Sequence, residues 1–299
     1  MADHDPPPPG TTPAELVAQL VALLDIETID TDLYRGARQP GGVGRVFGGQ
    51  VIAQALQAAQ RSTQDKAAHS LHAYFMRPGD ENFPIVYRVV RDFDGGSFAT
   101  RRVIAIQQGQ PILSMTASFQ RAEEGLHHQD AMPDVPPPET LRSDSELRRG
   151  HIASIPEKFR PFFLRERPIE LRPVNPRNWM APEKGDPVQH VWFRAAAPLA
   201  DDPELHRAVL AYASDMGLLS TSLLPHGVNW FTRGMQSASL DHALWFHEPF
   251  RADDWLLYSF RSPWAGHGRG YNYGGIFARD GRLVASASQE GLIRLREGR

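Results

Sequence analysis

Apolar residues recur with the period of a helix over the first sixty positions, and then with the period of a strand. Leu16, Val17, Leu20, Leu23 and Leu24 share one helical face. Just ahead of them, Thr12-Pro13-Ala14-Glu15 combines a capping hydroxyl, a proline suited to the first helical position and a glutamate that completes a capping box. Val51, Ile52, Ala55, Leu56 and Ala59 predict a second helix over residues 49–60. Its alanines suit it to being gripped closely. Residues 72–77, 85–92, 97–107 and 112–119 are rich in Val, Ile, Phe, Tyr and Thr and are separated by Pro-Gly, Gly-Gly and Gln-Gly turn signals. They predict four strands.

Residues 122–187 break this pattern with charges, a His127-His128 pair and a triple proline at Pro136, Pro137 and Pro138. They read as a connection carrying a short helix around residues 143–152. Beyond them the earlier order returns: a strand at 190–195, a helix over 203–219, and strands at 238–246, 255–261, 270–278 and 282–294. The turn Gln107-Gln108-Gly109-Gln110 is matched by Arg279-Asp280-Gly281-Arg282, and Phe75-Met76-Arg77-Pro78 by Phe246-His247-Glu248-Pro249, both about 172 residues downstream. A helix followed by antiparallel strands, built twice, predicts an α+β protein in which each unit wraps a sheet around its helix. The expected organisation is a disordered tail over residues 1–11, a first repeat over 12–121, a connection over 122–187 and a second repeat over 188–299.

Composition narrows the chemistry. The 299 residues carry 32 Lys and Arg against 35 Asp and Glu, a formal net charge of −3 that offers no basic field for nucleic acid or an anionic membrane. No cysteine is present, which excludes disulfides, thiolate metal sites and a cysteine nucleophile. No apolar run is long enough to predict a transmembrane helix. The Pro-rich, acidic start is unlike a secretory signal, and Leu295–Arg299 is unlike the Ser-Lys-Leu peroxisomal address. A cytoplasmic protein is the expectation.

Several catalytic signatures are missing. Gly95-Gly96-Ser97-Phe98-Ala99 lacks the last glycine of a nucleophile elbow, and there is no H-E-x-x-H. The glycine-rich run at residues 41–49 has neither the Lys-Ser/Thr ending of a phosphate loop nor dinucleotide spacing, and reads as a tight turn into the helix at Gly49. Three polar residues stand out within apolar segments: Asp215 in the predicted helix, and Ser239 and Gln289 in predicted strands. Singly, each has an ordinary structural reading. Asp215 could be a surface or capping residue, and Ser239 and Gln289 routine strand side chains. As a set, a carboxylate, a hydroxyl and an amide are equipped to bind and activate one water molecule.

These residues also carry a resemblance. It is carried in the first half by residues 45–51, 69–80 (HSLHAYFMRPGD), 96–103 (GSFATRRV) and 112–120 (ILSMTASFQ), and in the second half by Tyr212-Ala213-Ser214-Asp215 and residues 241–250 (DHALWFHEPF), 255–259 and 284–291 (VASASQEG). Over residues 14–295 the sequence resembles the acyl-CoA thioesterase II (TesB) family. The resemblance implies a double hot-dog fold, hydrolysis of fatty acyl-CoA by an activated water, and a catalytic set of Asp215, Ser239 and Gln289. Ser239 stands where that family has threonine, which keeps the hydroxyl and loses a methyl. The resemblance further implies acyl-CoA as the substrate, no cofactor or metal, and homo-oligomeric association. Oxyanion donors are expected at the start of the long helix, and Tyr74, Phe75, Trp245 and Phe246 are candidates to line an acyl tunnel. A non-catalytic acyl-CoA-binding protein of the same fold is the first alternative. A hydratase is the second, disfavoured because Asp241 and His242 are adjacent and must face opposite sides of a strand.

Overall fold

The computed structural model describes residues 11–39, 44–155, 157 and 160–296. Of the tail expected over residues 1–11, all but Thr11 lies outside the described residues, as do residues 40–43 and the end of the chain from residue 297. The first helix, α1 (Pro13–Leu24), starts on the expected capping box: the Thr12 N–H donates to Glu15 Oε2 at 2.7 Å, and the Glu15 N–H donates back to Thr12 Oγ1 at 3.3 Å. Two short strands follow, β1 (Glu27–Asp30) and β2 (Leu33–Gly36), before the long helix α2 (Gly48–Arg61). Helix α2 is buried on nearly every side, as a helix at the centre of a wrapped sheet must be. The sheet around it is made by β2, β3 (Ala67–Phe75), β4 (Ile85–Asp94), β5 (Phe98–Gln107) and β6 (Gln110–Gln120).

The stretch over residues 122–187 holds α3 (Asp144–Gly150), α4 (Arg160–Leu164) and the strand β7 (Ile169–Pro173). It also crosses the outside of the second sheet. Trp192 donates from Nε1 to the Pro136 carbonyl at 2.9 Å, and Met132, Val135 and Leu141 pack on Trp192, Trp255, Leu257 and Phe277. The second repeat contains β8 (Val188–Ala195), α5 (Pro203–Ser214), a 3-10 helix (Leu219–His226), β9 (Met235–Ser239), β10 (Asp241–Phe246), β11 (Leu256–Gly266), β12 (Arg269–Ala278) and β13 (Leu283–Leu295).

All the strands form one antiparallel sheet in the order β1-β2-β4-β5-β6-β3-β10-β13-β12-β11-β8-β7, with β9 paired to β13 off this path. Strands β2-β4-β5-β6-β3 on one side are mirrored by β8-β11-β12-β13-β10 on the other. The two units therefore meet where β3 pairs with β10, Asp241 opposite Tyr74 and Trp245 opposite Ser70. The fold is the α+β double hot-dog that the resemblance implied.

Two local predictions are corrected. The segment at residues 238–246 is two strands rather than one, because its register against β13 slips by one residue between Ser239 and Ala243, where β3 pairs in from Asp241. The helix predicted over residues 203–219, α5, stops at Ser214. The 3-10 helix and β9 are inserted between α5 and β10, where the first repeat has only a short turn.

Candidate active site

Helices α2 and α5 lie antiparallel, with the start of α2 against the end of α5. The contact depends on two glycines. A Cβ on Gly49 would lie 2.3 Å from the Tyr212 carbonyl oxygen, and one on Gly48 would lie 2.7 Å from Asp215 Oδ2 and 3.0 Å from the Phe75 ring. These glycines are the first two helical residues, and their role is close approach rather than the tight turn expected from sequence. Phe47, at the cap position of α2, offers no side-chain bond to the helix. The Asp215 carboxylate from the other repeat takes that place, accepting the Gly49 N–H.

Asp215 is the C-cap of α5, not a mid-helix residue, and its side chain is only 6% exposed. Gln289, on β13, donates from Nε2 to Asp215 Oδ1 at 2.6 Å and to Ser239 Oγ, on β9, at 3.1 Å. The three residues singled out from the sequence are therefore brought into one cluster. Burial pushes the Asp215 carboxyl up to about 6, against the lowering effect of the Gln289 and Gly49 donors. An acid titrating there is ionised at neutral pH yet remains a better proton acceptor than an exposed aspartate.

One member of the cluster was missed. His242, on β10, is fully buried, with Nδ1 3.3 Å from Gln289 Nε2 and 4.0 Å from Asp215 Oδ1, and Nε2 2.9 Å from Ser214 Oγ. Burial lowers its imidazole to about 4, so it is neutral at physiological pH. Strand alternation carried the signal, since His242 shares a face with Leu244 and Phe246. The adjacent Asp241 turns away and accepts the Glu290 N–H at 2.6 Å. Tyr258 closes the end of α5, donating to the Ser214 carbonyl at 3.3 Å.

Asp215, Ser239 and Gln289 lie in the wall of a cavity of about 1360 Å³. Its lining includes the apolar side chains of Leu219, Leu223, Phe260 and Trp179 and the basic side chains of Arg45 and Arg77. Of the four aromatics expected to line a tunnel, only Phe75 does so. Phe246 is in the core, while Tyr74 is 65% exposed and Trp245 packs against His72 with ring centroids 4.9 Å apart. Neighbouring strand residues point to opposite faces, so the four could not all have lined one tunnel. Among the described residues, no group of three His, Asp or Glu side chains is placed to hold a metal ion.

Comparison with known proteins gives a consistent result. Residues 162–292 match the acyl-CoA thioesterase family and residues 37–120 the acyl-CoA thioesterase N-terminal domain family. The chain is 42% identical over 297 residues to human acyl-coenzyme A thioesterase 8, covering 96% of this chain and 92% of that protein. It is 39% identical over 285 residues to acyl-CoA thioesterase 2 of Haemophilus influenzae, covering 95% and 100% respectively. The crystal structure of acyl-CoA thioesterase II TesB2 from Mycobacterium marinum superposes with a TM-score of 0.76 at 44% identity, covering 93% of this chain and 99% of that one.

Proposed function

The chain belongs to the acyl-CoA thioesterase family, and from that premise we propose that Asp215 is the general base that activates water against a fatty acyl-CoA thioester. The enzyme is a thioester hydrolase, releasing free acid and coenzyme A. One observation carries the mechanism: a single amide, Gln289 Nε2, joins a buried carboxylate at 2.6 Å and a hydroxyl at 3.1 Å at the wall of a large cavity. A water placed between Asp215 and Ser239 would give its proton to the carboxylate as its oxygen attacks the thioester carbonyl. The C–S bond then breaks, and the coenzyme A thiolate leaves. Gln289 holds base and hydroxyl in register. The first turn of α2, at Phe47 and Gly48, presents its positive end to the cavity and would stabilise the developing oxyanion.

No covalent nucleophile takes part, and the chemistry needs no metal or redox cofactor. The apolar lining supplied by Leu219, Leu223 and Phe260 suits a fatty acyl chain. We read the chain as two repeats, 12–121 and 188–299, with the connection over 122–187 contributing Trp179 to the cavity wall. The same reading takes the protein as cytoplasmic and homo-oligomeric. Among the described residues, no helix is long and apolar enough to cross a membrane.

The test is thiol release from a fatty acyl-CoA followed from the first turnover. Steady turnover without a stoichiometric burst, surviving dialysis against a chelator, is the expected result. A burst, or an acyl group trapped on the protein, would contradict attack by water. No thiol release at all would favour a non-catalytic acyl-CoA-binding protein.

A further inference from the structure

We propose that His242 is a positioning residue that fixes which end of the Gln289 amide faces Asp215, a role that rests on the hydrolytic reading above. His242 is not part of the cavity wall, so it acts through Gln289 rather than on the substrate. A count of protons sets the direction of each bond. At the end of α5 the Asp215 N–H bonds the Ala213 carbonyl, which leaves the Ala211 carbonyl to accept from the Ser214 hydroxyl at 2.9 Å. With its one proton committed there, Ser214 Oγ must accept from His242, 2.9 Å away at Nε2. The neutral imidazole has one N–H, now placed on Nε2, so Nδ1 is a bare acceptor.

That bare nitrogen lies 3.3 Å from Gln289 Nε2, which also donates to Asp215 at 2.6 Å. The amide's two N–H groups therefore serve three acceptors: Asp215 Oδ1 takes one, and His242 Nδ1, 4.0 Å from that oxygen, shares the other with Ser239 Oγ at 3.1 Å. Turning it end for end would aim its carbonyl at a lone pair and at a carboxylate together. Removing Nδ1 leaves the second N–H with Ser239 alone and loosens the hold of the amide on the base. Burial keeps the imidazole neutral throughout the range in which Asp215 is ionised.

Two substitutions separate the ring nitrogens. His242→Asn can place an acceptor near the position of Nδ1. His242→Gln reaches toward Ser214, as Nε2 does, and offers Gln289 nothing at the Nδ1 position. With each variant confirmed as folded by thermal unfolding, His242→Asn should keep kcat within about threefold of wild type. His242→Gln should lose on the order of 10–100-fold in kcat with KM for acyl-CoA unchanged, the cost of one lost charge-orienting hydrogen bond. In a Gln289→Ala background, His242→Gln should lower kcat no further. Equal losses for the two variants, or effects that multiply with Gln289→Ala, would overturn the proposal. A measurement without turnover checks it separately: ¹⁵N shifts of labelled histidine should report His242 protonated at Nε2. Protonation at Nδ1 would overturn the proposal even in an active enzyme. Correct protonation in a protein that releases no thiol would instead count against the hydrolytic reading.

Discussion

Where α5 ends, Asp215 at the cap faces Gln289 on β13, and Asn272 stands opposite Gln289 across the β12–β13 pair. Where α2 ends, Ser62 is the cap, and Arg101 faces Ala117 across the matching β5–β6 pair. The two ends are equivalent in the repeat and differ in their polar chemistry. Arg101 is 2% exposed and commits all five of its N–H groups: to Ser62 Oγ and the Ser62 carbonyl, to the Phe93 and Thr100 carbonyls, and to Asp94. At the other end, the buried side-chain oxygens of Gln289 and Asn272 have no partner, and Asp215 is held in a protonation state that burial resists. One end satisfies its polar groups and closes. The other leaves some unsatisfied beside a cavity, as functional sites commonly do.

The sharpest test of the contrast is Asp215→Asn. The exchange is nearly isosteric, and the amide cannot accept a proton at neutral pH. Thiol release should fall by roughly 1000-fold or more while the fold is kept. Retention of more than a few per cent of wild-type turnover would remove Asp215 from the base role. The reverse test is Arg101→Ala. It strands the buried Ser62 hydroxyl and carbonyl acceptors, and should lower stability by about 3 kcal/mol in urea unfolding. Turnover per folded molecule should stay within about twofold of wild type. A loss of catalysis comparable with that of Asp215→Asn would show that the two ends are not functionally distinct.

The same carboxylate gives two pH signatures. Activity should rise through pH 6 as Asp215 ionises. Gln289→Leu removes a donor that favours the ionised form, so the midpoint of that rise should move upward in pH, as stopped-flow pH profiles would show. For stability the sign is opposite. Because the folded-state value lies above the ordinary 3.8, the stabilising contribution of the protonated form is complete below about pH 4 and is lost as pH rises through 6. Asp215→Asn should therefore gain thermal stability relative to wild type between pH 4 and 7, with a ceiling of about 3 kcal/mol. The Gly49 N–H, left facing an amide, should hold the gain below that ceiling. A difference in melting temperature that does not change with pH would refute the assigned burial cost.

One side of this contrast could be read before the structure. Asp215 was conspicuous as a charge in an apolar run, and the recurring turns at Gly109 and Gly281 exposed the duplication. The capping box at Thr12 placed α1 because its signal is local. Other features depended on tertiary pairing. Strands β1, β2 and β7 have five residues or fewer, too short for a periodicity to establish itself. The break at Leu240 follows from a one-residue slip of register on β13 as β3 pairs in, which alternation does not record. His242 was seen as half of an Asp-His dipeptide, and its separation from Asp241 was anticipated. Its bond to Gln289 was not, because that depends on how β10 lies against β13.

The finest distinction between the two ends is a single hydroxyl. Ser239 on β9, opposite Gly291, lies 3.1 Å from Gln289 Nε2 at the cavity wall, while at the corresponding position, opposite Phe119 near the start of β3, the first repeat has Ala68, buried in the core. If the hydroxyl orients the attacking water, Ser239→Ala should cost on the order of 10–100-fold in kcat, the loss of one hydrogen bond to a reacting group. Ser239→Thr restores the hydroxyl and adds a methyl beside open cavity, so it should stay within about threefold of wild type, with its χ1 more restricted. Steady-state thiol release from one acyl-CoA, measured for both variants, decides the matter. Equal rates for alanine and serine would make Ser239 a packing residue, and would reduce the chemical difference between the two ends to the carboxylate and its amide.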